Sequence, residues 1–151
     1  MSDGSLHDRE WIAARLPHSG AMCLLDGVHA WDARHICCFS RSHRLTAHPM
    51  RAGGRLGAAC AAEYAAQAMA LHGALREGGA TAAPTPRPGM LVALRALRLH
   101  VIDLDRCESP LSIACARLDG DARTQLYDFD VRSGTTRIAC GRATLLAELP
   151  S

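Results

Sequence analysis

Glu63 is an acidic side chain set midway along a run that is otherwise almost wholly apolar. From Gly57 to Leu75 the chain reads GAACAAEYAAQAMALHGAL, nineteen residues of which nine are Ala. A carboxyl group in such a run loses hydration, which pushes its pKa upward and favours the protonated form. A raised pKa is what a general acid needs near neutral pH. The competing structural role is a Glu on a strip that reaches solvent, or one that caps a neighbouring backbone group. Gln67 lies one helical turn further on, where its amide can hydrogen-bond Glu63 or a backbone carbonyl and fix the carboxyl's orientation. Tyr64 points elsewhere and reads as packing. His72 lies nine residues from Glu63, about two and a half turns, and reads as a surface or interface residue.

A general acid needs a base beside it, and eight His residues supply candidates. His18 sits in a Pro-His-Ser-Gly turn just ahead of an apolar run. His48 sits in the loop that leads into the Ala-rich segment, fifteen residues before Glu63. His43 ends a strand-like stretch, and nothing around His7, His29, His35 or His100 marks a site. Metal and disulfide chemistry fit poorly. The seven Cys residues include no CxxC pair and lie mostly inside apolar runs such as Ile36-Cys37-Cys38-Phe39, as free thiols serving as small buried hydrophobes do.

The elements that must hold these residues follow from pattern. Residues 7–15 read as a short amphipathic helix that buries Trp11 and Ile12 and is broken by Pro17 and Gly20. Apolar residues 21–28 and β-favouring residues 35–43 read as two strands, and 44–56 as a loop. An Ala-rich helix over about 57–75 is apolar nearly all round and therefore buried. Residues 76–89, with three Pro and three Gly, read as a flexible connection. Four strands follow over 90–102, 110–118, 125–131 and 136–146, with the clearest in–out alternation in Tyr127-Asp128-Phe129-Asp130-Val131. One helix that must hide most of its circumference needs a sheet curled around it. The class is α+β, in a single domain spanning 1–151.

Composition removes several functions. All 17 basic residues are Arg, scattered among 15 acidic ones for a net charge of +2, so no dense basic stripe for nucleic acid exists. Aromatics at 4% are too few for a base-stacking platform. The Ala-rich helix is no membrane span, because a central Glu would add roughly 2.5–3.5 kcal/mol of insertion cost. The N-terminal stretch has no apolar signal region, and the expected setting is the reducing cytoplasm.

Two motifs carry a resemblance. Leu16-Pro17-His18-Ser19-Gly20-Ala21-Met22-Cys23-Leu24-Leu25-Asp26 resembles the LPHRxPxLLLD opening of FabA/FabZ-type 3-hydroxyacyl-ACP dehydratases. Gly57 to Gln67 resembles the start of their central helix, which carries ExxAQ. The match is closest to the ApeP-like branch, associated with aryl polyene clusters, whose GIEYAAQAMA is repeated here as EYAAQAMA over Glu63–Ala70. The resemblance implies the hotdog fold, an antiparallel sheet wrapped around one long helix, and a homodimer or a hetero-oligomer with another hotdog subunit. It implies conversion of a 3-hydroxyacyl thioester to a trans-2-enoyl thioester plus water, on a substrate tethered to an acyl carrier protein through phosphopantetheine, with no metal or redox cofactor.

In the family a His removes the C2 proton and a Glu or Asp on the partner subunit's helix helps the 3-hydroxyl leave. Backbone N–H groups near the helix start polarise the thioester carbonyl. Glu63 maps onto the acid, and Gly57 and Gln67 onto the substrate-binding start of the helix. The family's GHFPG loop is replaced by Ala47-His48-Pro49-Met50-Arg51-Ala52-Gly53-Gly54, where the ApeP-like branch is expected to carry Asn-Pro-Leu-Arg. His18 is the first candidate base and His48 the second. Arg51, Arg55, Arg87 and Arg95 are candidates for docking an acidic carrier protein. A noncatalytic hotdog subunit and a hotdog thioesterase are the alternative functions.

Overall fold

The computed structural model describes residues 7–16, 20–78, 89–121 and 123–147. Helix α1 (Arg9–Ala13) is followed by strands β1 (Gly27–Trp31) and β2 (His35–Ser40), then by the long helix α2 (Ala61–Gly78). Strands β3 (Gly89–Leu99), β4 (Leu111–Gly120), β5 (Thr124–Ser133) and β6 (Thr136–Ala147) complete the order. All six strands form one antiparallel sheet in the order β1-β2-β4-β5-β6-β3. Its α2-facing side carries alternate residues such as Ile113, Cys115, Tyr127, Phe129 and Val131, all buried with Tyr64, Ala65, Ala68, Met69 and Leu71 of the helix. This is the expected α+β arrangement, and the four C-terminal strands lie within a few residues of their predicted ranges.

Three elements differ from expectation. The helix predicted over 7–15 is shorter, capped where the Asp8 carboxylate accepts the Trp11 N–H at 3.0 Å, and it buries Ile12 fully. The apolar run 21–28 is not a strand. Gly20–Met22 make one 3-10 turn and β1 starts only at Gly27, because side chains satisfy this backbone where a neighbouring strand would otherwise do so. The Leu24 carbonyl accepts from the Ser40 and Ser42 hydroxyls, and Asp26 accepts the Arg41 N–H at 2.6 Å. Finally, α2 enters through a 3-10 turn (Ala58–Cys60) and runs on to Gly78, so Arg76 and Glu77 are helical. Residues 79–88 of the predicted connection lie outside the described residues.

Candidate active site

The long helix is not buried all round. Ala59 and Glu63 are exposed, and Cys60, Ala66, Ala70 and Gly73 are half-buried. These positions recur every three to four residues and so form one stripe along α2. Glu63 is therefore not desolvated within the single chain, which corrects the expectation of a buried carboxyl. The reason is geometric. Ala has so short a side chain that a helix rich in it can be open on one side without exposing a large hydrophobe. The carboxylate still shapes its surroundings: burial, and then the nearby Glu63 charge, push the Cys60 thiol upward.

Gln67, one turn beyond, turns inward and is 1% exposed. Its Oε1 accepts the Leu24 N–H at 2.9 Å and its Nε2 donates to the Met22 carbonyl at 2.7 Å. Of the two sequence readings, the backbone partner is the one realised. Gln67 pins the Met22–Leu24 segment onto α2 by these two bonds. His18 itself lies outside the described residues.

His48 is buried, and both of its ring nitrogens are engaged. The Met50 N–H donates to Nδ1 at 3.1 Å, so the proton of the neutral ring sits on Nε2. Nε2 in turn donates to the Tyr64 hydroxyl at 3.0 Å. Tyr64 passes a hydrogen bond to Ser42 Oγ at 2.6 Å, and Ser42 donates to the Leu24 carbonyl at 2.8 Å. Burial, then the positive charge of Arg51 and the neighbouring His43, holds His48 below the ordinary histidine pKa. Burial pushes Tyr64 up to about 12. Tyr64 is thus more than packing: a fully buried phenol must satisfy its O–H, and that requirement was the available signal in the sequence. Consecutive helix residues diverge by about 100°, so the ring that rests on Tyr64 lies on the buried side of α2, away from the Glu63 stripe.

The other described imidazoles are also held elsewhere. His72, expected at the surface, is fully buried: Nε2 donates to the Asp32 carbonyl at 2.7 Å and Nδ1 accepts from the Tyr127 hydroxyl at 2.6 Å. His43 donates to the Cys107 carbonyl at 2.7 Å. His29 stacks on Phe39, and His35 pairs with Asp32. No group of three or more His, Cys, Asp and Glu side chains gathers as a metal site among the described residues.

The loop between β2 and α2 is closed by Arg51. Its guanidinium donates to the carbonyls of Leu45, Gly54 and His43 and pairs with Asp105. That hydrogen bond, then the Leu56 N–H, holds the Asp105 carboxyl below the usual range. Arg51 is a strut, not a free docking side chain. Arg55 pairs with Asp103 at 3.0 Å, Arg95 is exposed on β3, and Arg87 lies outside the described residues. Gly57 closes the loop at the 3-10 entrance to α2 with φ −65°, and a Cβ added there would meet nothing within 4 Å. Nothing among the described residues requires a glycine at that position.

One helix cradled in a six-stranded antiparallel sheet, with a carboxylate on the helix's open stripe, defines the hotdog class. The family model for ApeP-like proteins, described as ApeP dehydratase, matches residues 11–148. The chain belongs to this family and is a hotdog dehydratase. A chain of the solved dehydratase heterocomplex ApeI:P from Xenorhabdus doucetiae is 24% identical, with a TM-score of 0.76 over 91% of each chain. A thioesterase from Haemophilus influenzae superposes at a TM-score of 0.54 and 12% identity, over 81% of this chain and 77% of its own. The PaaI protein of the E. coli phenylacetic acid degradation operon does so at 0.54 and 13%, over 79% and 80%. At these identities the structural likenesses speak for the fold. No curated protein sequence matches the chain. Among the described residues no helix is long and apolar enough to cross a membrane.

Proposed function

We propose that the chain dehydrates a 3-hydroxyacyl thioester, delivered by an acyl carrier protein in aryl polyene-type biosynthesis, at a site completed by a second hotdog subunit. The observation that carries this is the placement of Glu63 on the open stripe of α2, in its first turn and six residues after Gly57. A proton passes from the Glu63 carboxyl to the 3-hydroxyl, the C3–O bond breaks and water leaves. A base takes the C2 proton, and the C2–H electron pair becomes the new double bond. Negative charge that builds on the thioester oxygen lies at the N-terminal end of the helix, whose partial positive charge favours it, although the Ala58, Cys60 and Ala61 N–H groups there already donate to the Ile102, Gly57 and Ala58 carbonyls. The absence of a side chain at Gly57 lets the thioester approach that backbone.

His48 supports the site by holding Tyr64 and Ser42 in register; its one lone pair is occupied by the Met50 N–H. This leaves the C2 proton to His18, which precedes in sequence the Met22–Leu24 segment that Gln67 ties to α2, or to an imidazole of the second subunit. The ApeI:P heterocomplex supports a hetero-oligomer over a homodimer as the working assembly. The free thiols of all seven Cys residues fit a reducing, cytoplasmic setting.

The test is Glu63→Gln, assayed on a 3-hydroxyacyl carrier protein for appearance of the 2-enoyl product, with the chain alone and with any co-purifying subunit. Full activity in the variant overturns the role of Glu63. A second reading, a noncatalytic hotdog subunit, is favoured by one observation: His48, the candidate base among the described residues, has both ring nitrogens engaged within the chain. In that case the complex turns over equally well with either residue at position 63. Release of free thiol in place of enoyl product would indicate a thioesterase.

A further inference from the structure

Among the described residues strand β3 is an edge of the sheet: β6 lies on one side of it and no described strand on the other. The opposite edge strand, β1, has five residues and is bridged at Val28 by His7, whereas β3 runs for eleven. Large exposed hydrophobes concentrate here. Leu94 and Leu97 are each 38% exposed, Leu99 is 45% exposed and Ile102, just beyond the strand, is 68% exposed. Leu94 and Leu99 pair with the buried Ala143 and Ala139, so they lie on the α2-facing side yet are uncovered. A long edge with uncovered apolar residues is a template for a further strand.

The outer face of the same edge carries charge in an unusual arrangement. Arg95 pairs with Arg142 and Arg98 with Cys140, so three steps along β3 match two along β6. One residue is therefore extra, and Ala96 beside it adopts φ 53°, a conformation that side-chain-bearing residues avoid. The bulge is built into the neighbouring strand too. A Cβ at Gly141 would come within 3.2 Å of the Phe129 ring and 3.3 Å of both the Arg95 carbonyl and the Leu97 Cα.

Because strand side chains alternate, Arg95 and Arg98 would face opposite sides of a regular strand. The extra residue turns both outward, beside a shallow groove of about 470 Å³ shared with His100, Asp128, Asp130 and Arg137. Those two carboxylates are already taken. Asp128 pairs with Arg142 at 2.9 Å, and Asp130 with Arg132 at 2.8 Å and Arg137 at 3.2 Å. Neither Arg95 nor Arg98 has a carboxylate partner among the described residues.

We propose that this edge is coded by charge: it rejects a second copy of the chain and accepts another hotdog subunit whose edge strand presents Asp or Glu on the outer face. This rests on the reading that a second hotdog subunit completes the site. Two-fold pairing of β3 with its own copy would continue the sheet with one common outer face. From Gly89 to Ile102 the chain has Arg95, Arg98 and His100 and no acidic residue, so no register of self-pairing can set opposite charges across the strands. Like charges directly opposite destabilise a strand pair, and opposite charges stabilise it. Discrimination between partners then comes from repulsion as well as attraction.

Sedimentation of the purified chain, with the variant Arg95→Glu/Arg98→Glu as probe, tests this without needing the natural partner. The wild type is expected to remain monomeric at low ionic strength, and its self-association should strengthen by roughly tenfold or more as salt screens the arginines. Mixed with the variant, it should form a 1:1 dimer at low ionic strength that weakens on adding salt. The neutral variant Arg95→Gln/Arg98→Gln should self-associate more tightly than wild type at low salt. A wild-type dimer equally tight at both ionic strengths overturns the proposal. So does failure to form the mixed dimer when circular dichroism shows both chains folded. Mass is read without turnover, so an inactive chain can pass this test and an active one can fail it.

Discussion

Replacing Gln67 by Leu keeps the volume of the side chain and removes both of its hydrogen bonds. Leu24, whose N–H then loses its acceptor, is 1% exposed, so water cannot substitute for the amide oxygen. An orphaned buried donor costs about 1–3 kcal/mol. Met22, whose carbonyl loses the other bond, is 42% exposed, and its carbonyl can turn to solvent at little cost. The two together give a loss of about 2 kcal/mol, dominated by Leu24. For a chain of this size each kcal/mol moves the midpoint by roughly 2–4 °C, so thermal unfolding followed by circular dichroism should show Tm lower by about 4–8 °C. If His18 is the base, dehydration should fall further than stability explains at temperatures where the variant is fully folded. A Tm within about 1 °C of wild type would refute the account, because it would mean that Gln67 does not hold the 22–24 segment.

Other outcomes follow from the same contacts. Tyr64→Phe strands the His48 Nε2–H in a buried place and should lower stability by about 1–3 kcal/mol in urea unfolding, whereas a neutral effect would break the His48–Tyr64–Ser42 chain. Burial, the first cause in each case, lowers the pKa of His43, His48 and His72 in the folded state. The unfolded chain therefore binds more protons below about pH 6.5. The stabilisation is complete above that pH and is lost as pH falls from there toward the lowered folded values. A Tm that stays level between pH 7 and 5 would contradict the burial of these rings. Asp105 works in the acid range: its folded pKa is depressed, so its contribution is present above about pH 4 and is lost as pH falls through the folded value. Asp105→Asn should flatten that acid limb of a stability–pH curve, and an unchanged limb would sink the Arg51–Asp105 strut.

Legibility from sequence followed how local each decision was. The Ala-rich run announced a helix and the alternating Tyr127–Val131 stretch a strand, because propensity and period act over a few neighbours. EYAAQAMA announced the family, because the motif lies in one contiguous segment. The run 21–28 misled, since its apolar composition suits a strand but its backbone is claimed by Ser40, Ser42 and Gln67 from distant segments. His72 misled for a similar reason: its partners are Tyr127, 55 positions away, and the Asp32 carbonyl, 40 away.

What the sequence determined by itself, then, is the inventory: one helix, the strands that follow it, a carboxylate at 63 and an amide one turn on. Only the tertiary structure decided which side of α2 stays open, which histidines are locked, and that a bulge at Ala96 turns two arginines to one face. Those outcomes depend on which backbone groups and side chains meet across the sheet, and a linear pattern does not record such meetings.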